Sequence, residues 1–522
     1  MKELIFPRLF RPAMERWADK LGFHDGAYRA TFGQHSDRVL RLADAIRNEL
    51  GLERGDRFAV MACNGHEFLE LYHAGMLGAG LINPLNLRLA GRELQDILLD
   101  SGATVVFVDS VFAEHFARNI APVRDELSLR KVVLIGDGDV PHDVRYEDLI
   151  DAARPVAPAE PDETDPAVLM YTGGTTGRAR GAVLEQRAEI LNLYHIGIAV
   201  EMSDRRVYLH QTPMFHAASM GGVIGIPAIG GTSVFVPLFE PSQVMEVIER
   251  HSVDWTMMVP TMIAMVLNHP DFLPSRLASL RDLVYGASPM PAALLDRIFE
   301  LLPEVDLWQG YGMTECSSVL TFLTPDDHRR RGRVLRSAGR PVLGVEISVR
   351  DESGRPVDSG DNGEVWARGG NFMREYWRRP DETAAVMTDG WYRTGDEGHV
   401  DDEGYVYLVD RVKDMIVSGG ENVYSIEVEN AISTLPGVAQ VAVIGVPHDV
   451  LGEQVHAIVV LEPGSDITAD DIIAHARERI AGYKVPKSIE LRTEALPLSG
   501  ALKPLKRELR EDYRQRAAVP AP

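Results

Sequence analysis

Residues 171–181 combine side chains and spacing that suit a phosphate-binding loop. Three glycines and three threonines fill positions 172–177, and Arg178 and Arg180 follow. Glycine lets backbone N–H groups approach an anion closely, threonine hydroxyls add donors, and arginine adds positive charge. The apolar run before the loop, 167–170, is typical of a buried strand. The residues predicted to contact phosphate are Thr172, Gly173, Gly174, Thr175, Thr176, Gly177 and Arg180.

The loop alone leaves two interpretations open. It lacks the G-x-x-x-x-G-K-[ST] spacing of a P-loop, and it lacks the G-x-G-x-x-G spacing of a dinucleotide site. A solvated glycine turn between a strand and a helix explains the same residues equally well. A choice between the two therefore depends on the rest of the chain.

Composition and charge narrow the class of protein. A chain of 522 residues exceeds what one hydrophobic core usually serves, so we expect two or more domains. A net charge of −23 argues against a nucleic-acid partner, because phosphate contacts require a basic surface. The two cysteines, Cys63 and Cys316, provide no disulfide framework and no zinc-site spacing. With no long apolar stretch at the N-terminus, these features predict a cytoplasmic protein.

One uncharged segment, 217–239, requires a membrane check. It contains five glycines and two prolines, and its residues 234–236 are β-prone. A buried helix followed by a strand explains this pattern better than a membrane span. We therefore expect no integral membrane segment.

The order of apolar runs predicts an α/β fold. Short strand-like runs alternate with amphipathic segments such as 37–50, 243–251 and 292–302, which indicates layered, largely parallel sheets. From about residue 340, short β-rich pieces separated by Gly and Asp turns indicate a small barrel-like subdomain. The last hundred residues are typical of a compact α+β unit. The strand-like runs are 58–61, 105–108, 132–135, 257–260, 283–285, 345–349, 363–366, 441–444 and 457–460.

Several further motifs occur in a fixed order along the chain. The sequence Pro-Met-Phe-His stands at 213–216, Tyr-Gly-Ala-Ser-Pro at 285–289, and Gln-Gly-Tyr-Gly-Met-Thr-Glu at 309–315. Tyr-Arg-Thr-Gly-Asp follows at 392–396, and Asp-Arg-Val-Lys-Asp at 410–414. With the phosphate loop and Pro-Leu-Ser-Gly-Ala-Leu-Lys at 497–503, the pattern resembles the adenylate-forming superfamily. That superfamily comprises acyl-CoA synthetases, firefly luciferase and nonribosomal-peptide adenylation domains.

The resemblance implies a role for each matched residue. Catalytic roles fall to Lys503, Thr175, His216 and Glu315, and Glu315 also supplies the oxygen for Mg²⁺. Besides the loop residues, the nucleotide would contact Gly286, Ala287, Ser288, Gly310, Tyr311, Gly312, Thr314, Asp396 and Arg411. The acyl pocket would be lined by Met214, His216, Ala217, Met220, Tyr285 and Val319. A hinge is implied at Lys413, and CoA contacts at Ser418, Gly419 and Gly420.

Two positions depart from the pattern of the superfamily. Arg180 stands where the loop usually has lysine, and arginine binds phosphate as a rigid planar fork. Leu502 stands where glycine usually precedes the catalytic lysine, so some backbone conformations become costly there. Both departures bear on the rate of adenylation, and neither removes a charge.

The implied activity is an AMP-forming ligation of a carboxylic acid to CoA, with ATP and Mg²⁺. Apolar pocket residues favour a hydrophobic acid, with a medium or long fatty acid preferred and an aryl or alicyclic acid as the alternative. A nucleotide-binding homologue with little ligase activity is the alternative of another class. The implied division is 1–410 for the N-terminal domain, 411–413 for the hinge and 414–522 for a mobile C-terminal domain. The sequence leaves a homodimer open.

Overall fold

A computed structural model describes residues 2–172, 179–288, 290–411, 414, 416–418, 421–448, 451–499 and 504–518. The strands in chain order are β1 Leu21–Asp25, β2 Tyr28–Thr31, β3 Arg57–Met61, β4 Leu81–Pro84, β5 Val105–Asp109, β6 Lys131–Ile135, β7 Val144–Arg145, β8 Pro166–Thr172, β9 Arg180–Glu185, β10 Val207–His210, β11 Thr232–Phe235, β12 Trp255–Met258, β13 Asp282–Gly286, β14 Asp306–Tyr311, β15 Thr321–Leu323, β16 Arg340–Pro341, β17 Glu346–Arg350, β18 Gly363–Arg368, β19 Glu375–Tyr376, β20 Met387–Thr388, β21 Trp391–Val400, β22 Val406–Arg411, β23 Ile416–Ser418, β24 Glu421–Val423, β25 Val438–His448, β26 Gly452–Leu461 and β27 Ser488–Arg492.

Helices lie between most of these strands. The predicted helix at 37–50 begins earlier, at Phe32, because Thr31 and Gln34 form a capping box. The α-helices are α1 Pro7–Arg16, α2 Phe32–Asn48, α3 His66–Ala74, α4 Gly91–Ser101, α5 Ala113–Asn119, α6 Tyr146–Ala152, α7 Gln186–Ala199, α8 Ile226–Ala228, α9 Pro241–His251, α10 Pro260–Leu267, α11 Ala292–Leu301, α12 Pro325–Arg330, α13 Pro380–Val386, α14 Ser425–Ser433, α15 Ala469–Arg477 and α16 Lys506–Ala518.

Two large sheets form the N-terminal part, as the alternating pattern predicts. One has the order β19-β9-β8-β4-β3-β5-β6-β7, and the other β16-β15-β14-β13-β12-β10-β11-β1-β2. Pairing is parallel through the centre of both sheets, from β8 to β7 in the first and from β14 to β1 in the second. Central strands of this kind are buried on both faces, which explains their continuous apolar runs.

Two smaller sheets follow. Strands β17, β18, β21 and β20 form a five-stranded antiparallel sheet with β22, in the region predicted to be barrel-like. The C-terminal sheet has the order β24-β23-β26-β25, with β27 parallel to β26, and α14, α15 and α16 accompany it. The predicted α/β class with a small α+β C-terminal domain is therefore confirmed.

The uncharged segment 217–239 is buried or half-buried as far as Val236, as expected, and Leu238 beyond it is exposed. It forms a 3₁₀ turn at Ala217–Ser219, a π-helical turn at Gly221–Gly225, the short helix α8 and the strand β11. Across the described parts of the chain, no helix combines the length and the apolar character that a bilayer span requires.

Most of the predicted motifs lie where strands end. The segments 285–288 and 309–315 include and follow the carboxyl ends of β13 and β14, and 213–216 comes shortly after β10. Because neighbouring parallel strands end at the same edge of a sheet, this topology brings the motifs together.

Candidate active site

A cavity of about 1560 Å³ lies at this edge of the second sheet. Its wall contains both polar residues of the predicted nucleotide motifs and apolar residues of the sheet. The same cavity can therefore contact a nucleotide and an apolar group. The predicted residues on the wall are Thr172, Arg180, His216, Ala217, Tyr285, Gly286, Ala287, Ser288, Gly310, Gly312, Thr314, Glu315, Val319 and Asp396.

The paired strands β13 and β14 form a narrow backbone platform beside the cavity. Gly286 and Gly310 are register partners, and a methyl group added to Gly286 would lie 2.2 Å from the carbonyl oxygen of Gly310. Ala287 follows with φ of 66°, a strained value for a residue other than glycine. At Gly286 and Gly310 the wall is therefore backbone without side chains, which suits the planar base predicted there.

Asp396 lies at the next part of the wall and is 8% exposed. The hydroxyl of Tyr311 donates a hydrogen bond to Asp396 Oδ2 at 2.7 Å. Burial, followed by the charge of Asp396, raises the pKa of Tyr311, so the phenol remains a donor. Arg411, the other predicted nucleotide contact here, is the register partner of Asp396 across β21 and β22. Its side chain is outside the part of the chain that the structure describes.

Glu315 is held by two contacts from the segment 371–376. Its carbonyl oxygen accepts from the backbone N–H of Met373 at 2.7 Å, and its Oε1 accepts from the Tyr376 hydroxyl at 2.7 Å. No cation among the described residues forms an ion pair with it. A buried carboxylate on a cavity wall without a cationic partner fits the hard oxygen ligand that Mg²⁺ prefers.

Arg180 contacts the ring of Tyr376, the residue whose hydroxyl donates to Glu315. The centre of the guanidinium lies 4.4 Å from the centroid of the Tyr376 ring, and Nη1 is 3.5 Å from Oε2 of Glu382. A cation held over an aromatic face keeps its charge while its orientation is fixed. Sequence reasoning missed Tyr376, because a single tyrosine outside any motif gave no signal.

The predicted acyl residues divide into two groups. His216, Ala217, Tyr285 and Val319 line the cavity. Met214 and Met220 do not; both are fully buried in a hydrophobic core that includes residues of both large sheets.

Five further residues of the apolar wall, which we call the aromatic end, were missed by sequence reasoning; the same wall also includes Met257, Val259 and Met262. The five come from one helix and four strands that are distant in sequence, so no local motif marked them. The residues of the aromatic end are Ile196, Tyr208, Trp255, Val284 and Phe322.

Residues of the C-terminal domain also line the cavity. Leu498, Ser499, Pro504 and Lys506 line it, and Arg88 Nη1 donates to the carbonyl oxygen of Ser499 at 3.3 Å. Ser418 lies at the end of β23, is buried and does not line the cavity. The predictions for Gly173, Gly174, Thr175, Thr176, Gly177, Lys413, Gly419, Gly420 and Lys503 lie outside the described residues.

Another group of potential metal ligands lies away from this cavity. Within the described part of the chain, Asp25, His66 and Glu67 place one ligand atom each within 4.8 Å of the others. Asp25 Oδ2 accepts from both the backbone N–H and Nδ1 of His66, at 3.0 Å and 2.8 Å. Asp25 thereby satisfies donors at the start of α3, so a structural role accounts for the group.

Comparisons with known proteins agree with this geometry. The model of the AMP-binding enzyme family matches residues 10–377, and that of the AMP-binding enzyme C-terminal domain matches 427–503. The chain belongs to this family, and it is an AMP-forming acid–thiol ligase of the acyl-CoA synthetase class.

Its relatives differ in their named substrates. It is 38% identical to a feruloyl-CoA synthase of Amycolatopsis sp over 94% of this chain and 95% of that protein. It is 35% identical to the long-chain-fatty-acid–CoA ligase FadD13 of Mycobacterium tuberculosis, over 93% of each. The solved anthranilate CoA ligase AuaEII, in complex with anthranoyl-AMP, superposes with a TM-score of 0.90 at 26% identity, covering 99% of this chain and 98% of that one.

Proposed function

We propose that this protein activates an apolar carboxylic acid with ATP and then transfers the acyl group to CoA. The observation that carries the proposal is a cavity whose wall contains both residues of the nucleotide motifs and an apolar part. A carboxylic acid whose body occupies the apolar part would have its carboxylate directed toward the nucleotide.

The proposed reaction has two steps. In the first, a carboxylate oxygen bonds to the α-phosphorus of ATP, and the bond from that phosphorus to the bridging oxygen breaks, so pyrophosphate leaves. In the second, the CoA sulfur bonds to the carbonyl carbon, its proton passes to solvent, and the bond from that carbon to the AMP oxygen breaks. The products are acyl-CoA, AMP and pyrophosphate.

The residues on the wall suit the first step. Asp396 would accept from the ribose hydroxyls, and Arg180 would donate to phosphate oxygens. His216 would orient the carboxylate of the acid from the junction with the apolar part. When bound, magnesium neutralises charge on the phosphates. Glu315 would hold it, and Thr175 remains the sequence-based candidate for a further hydroxyl contact.

We further propose that the C-terminal domain supplies Lys503 for the first step only. Its sequence neighbours Ser499 and Pro504 both line the cavity, which supports a position near the nucleotide. A rotation at Lys413 would then withdraw this loop and bring the segment at Ser418 toward the thiol. The boundary at 411–413 remains the predicted hinge.

ATP–pyrophosphate exchange tests the proposal. Exchange should depend on the acid supplied, with fatty, aryl and alicyclic acids all included, because relatives are named for acids of different shapes. ATP binding, measured separately by calorimetry, serves as the control. Binding of ATP without exchange for any acid would support a nucleotide-binding homologue instead.

A further inference from the structure

The aromatic end lines part of the cavity with closely packed rings. Tyr208, Trp255 and Phe322 are 4%, 2% and 7% exposed, and with Ile196 they belong to one hydrophobic cluster. Other members of that cluster, including Ile226 and Val342, do not reach the cavity wall and lie in the packing around it. Because these side chains are closely packed, a ligand cannot pass between them without displacing them.

The rings are fixed by strand pairing. Tyr208 in β10 and Trp255 in β12 are direct register partners, so their side chains stand on the same face of the sheet. Their ring centroids are 5.1 Å apart at an interplanar angle of 78°. Phe322, also on the wall, packs edge-on to Trp308, with centroids 6.1 Å apart. Aromatic edges and faces exposed to the cavity favour contact with a flat aromatic ring.

Gly222 makes room for Tyr208 at the wall. A methyl group added at Gly222 would lie 2.4 Å from Cε1 and 2.9 Å from Cζ of Tyr208, which is closer than carbon atoms approach. These are atoms of the outer half of the ring, next to the hydroxyl. The glycine therefore allows the polar end of the tyrosine to take its place in the π-helical turn Gly221–Gly225 that borders the cavity.

The hydroxyl of Tyr208 makes no hydrogen bond to any residue within the described ranges. Burial raises the pKa of this phenol, so at neutral pH it is uncharged and able both to donate and to accept. An alkyl chain would leave this group without a partner and exclude water from it, which is unfavourable. A ligand oxygen at the same place would satisfy it.

We propose that the acid is an aryl carboxylic acid whose ring carries an oxygen substituent, and that this oxygen hydrogen-bonds to Tyr208. The inference rests on the proposed ligase function and assigns its substrate class. It differs from the sequence-based preference for a fatty acid. That preference relied on apolar residue types and did not include Tyr208.

A substrate panel with the purified full chain tests this inference. The panel contains benzoate, cinnamate, their 3-hydroxy and 4-hydroxy derivatives, octanoate and dodecanoate, each measured by acyl-CoA formation. We expect at least one hydroxylated aryl acid to exceed its unsubstituted parent in kcat/KM by about tenfold or more. We also expect every alkyl acid to be poorer than that substrate.

The variant Tyr208→Phe separates hydrogen bonding from packing. It should lower kcat/KM for the preferred hydroxylated acid about tenfold to a hundredfold and change the unsubstituted parent less than about threefold. The exposed Tyr194→Phe on α7 is the matched control and should change neither. Equal losses for both acids, or dodecanoate as the best substrate, would overturn the inference. Failure of every acid in both proteins would instead contradict the ligase function, and the inference would fall with it.

Discussion

The Tyr376 hydroxyl donates to Glu315 Oε1 at 2.7 Å, while the guanidinium of Arg180 lies over the same tyrosine ring at 4.4 Å. One side chain thus orients both the candidate magnesium ligand and the candidate phosphate-binding cation. Burial raises the pKa of the Tyr376 phenol, which keeps it protonated as a donor near neutral pH.

The variant Tyr376→Phe should therefore weaken the use of magnesium without unfolding the protein. It removes the hydrogen bond and retains the ring under Arg180. We expect acid-dependent pyrophosphate exchange to fall about tenfold, with a higher magnesium concentration needed for half-maximal rate. Exchange measured over a magnesium series checks this. An unchanged magnesium dependence would mean that Tyr376 only packs.

Asp396 is expected to determine affinity for the nucleotide. Asp396→Asn exchanges a carboxylate oxygen for an amide donor, which cannot accept from a ribose hydroxyl at that position. The KM for ATP should rise about tenfold or more, while the KM for the acid stays nearly constant. Tyr311→Phe leaves the carboxylate in place and should have a smaller effect. Equal rises in both KM values would argue for a general loss of structure.

The buried pair His35 and His73 should make stability depend on pH. His73 Nε2 donates to the carbonyl oxygen of Val223 at 2.9 Å, so its Nδ1 must accept from His35 Nε2, 2.8 Å away. This chain of bonds requires His73 to be neutral, and full burial disfavours a charge on His35. Burial lowers the pKa of His73 to about 4 and that of His35 well below its usual value.

The sign of the effect follows from these lowered pKa values. The unfolded chain binds protons at a pKa of about 6.5, and the folded one does not until near 4, so stability falls as pH drops through this window. For His73 alone the loss at pH 5 is about 2 kcal/mol relative to pH 7. Urea unfolding at both pH values checks this, and His73→Gln should show a smaller pH effect. An identical pH effect in the variant would contradict the account.

The domain proposal predicts opposite effects for two lysines. Lys503→Ala should slow formation of acyl-AMP by on the order of 10²–10³, the usual cost of removing one preorganised electrostatic group, and leave thioester formation from pre-made acyl-AMP nearly unchanged. Lys413→Pro should do the reverse, because a fixed φ obstructs rotation at the hinge. Single-turnover measurements of each step check both. If each variant slows the two steps equally, domain alternation is the wrong mechanism.

Arg180→Lys tests the departure in the phosphate loop. Lysine keeps the charge and loses the planar contact with Tyr376 and the fork near Glu382. A faster first step would show that arginine limits the rate, and an unchanged rate that it substitutes freely. We expect an effect of less than about tenfold in either direction, since the charge persists; a greater loss would assign the planar geometry itself to catalysis.

Most residues of the nucleotide motifs on the cavity wall could be predicted from sequence, whereas the residues of the aromatic end could not. Gly286, Gly310 and Asp396 lie in short motifs whose glycines and acid have no simple role in a core. Tyr208 and Trp255 instead sit inside apolar strands, where aromatic residues are ordinary. They become neighbours only through the parallel pairing of β10 and β12, which local patterns do not specify.

Local sequence patterns also could not show that Met214 and Met220 lie away from the cavity wall. Both stand near His216 in sequence, which favoured a place on the acyl wall. Both are instead buried in a core that includes residues of both large sheets, where the Tyr72 hydroxyl donates to the carbonyl oxygen of Met214 at 2.6 Å. Proximity in sequence within a loop does not fix which side of the backbone faces the cavity.

In the proposed mechanism an acyl-AMP forms before CoA reacts. Following a labelled carboxylate oxygen into the products tests this most directly. The acid is supplied with ¹⁸O in its carboxylate. The ¹⁸O content of the AMP and the pyrophosphate released during acyl-CoA formation is measured by mass spectrometry. Attack of the carboxylate on the α-phosphorus predicts one labelled oxygen in AMP and none in pyrophosphate. Label in pyrophosphate, or acyl-CoA formed with unlabelled AMP, would contradict the account.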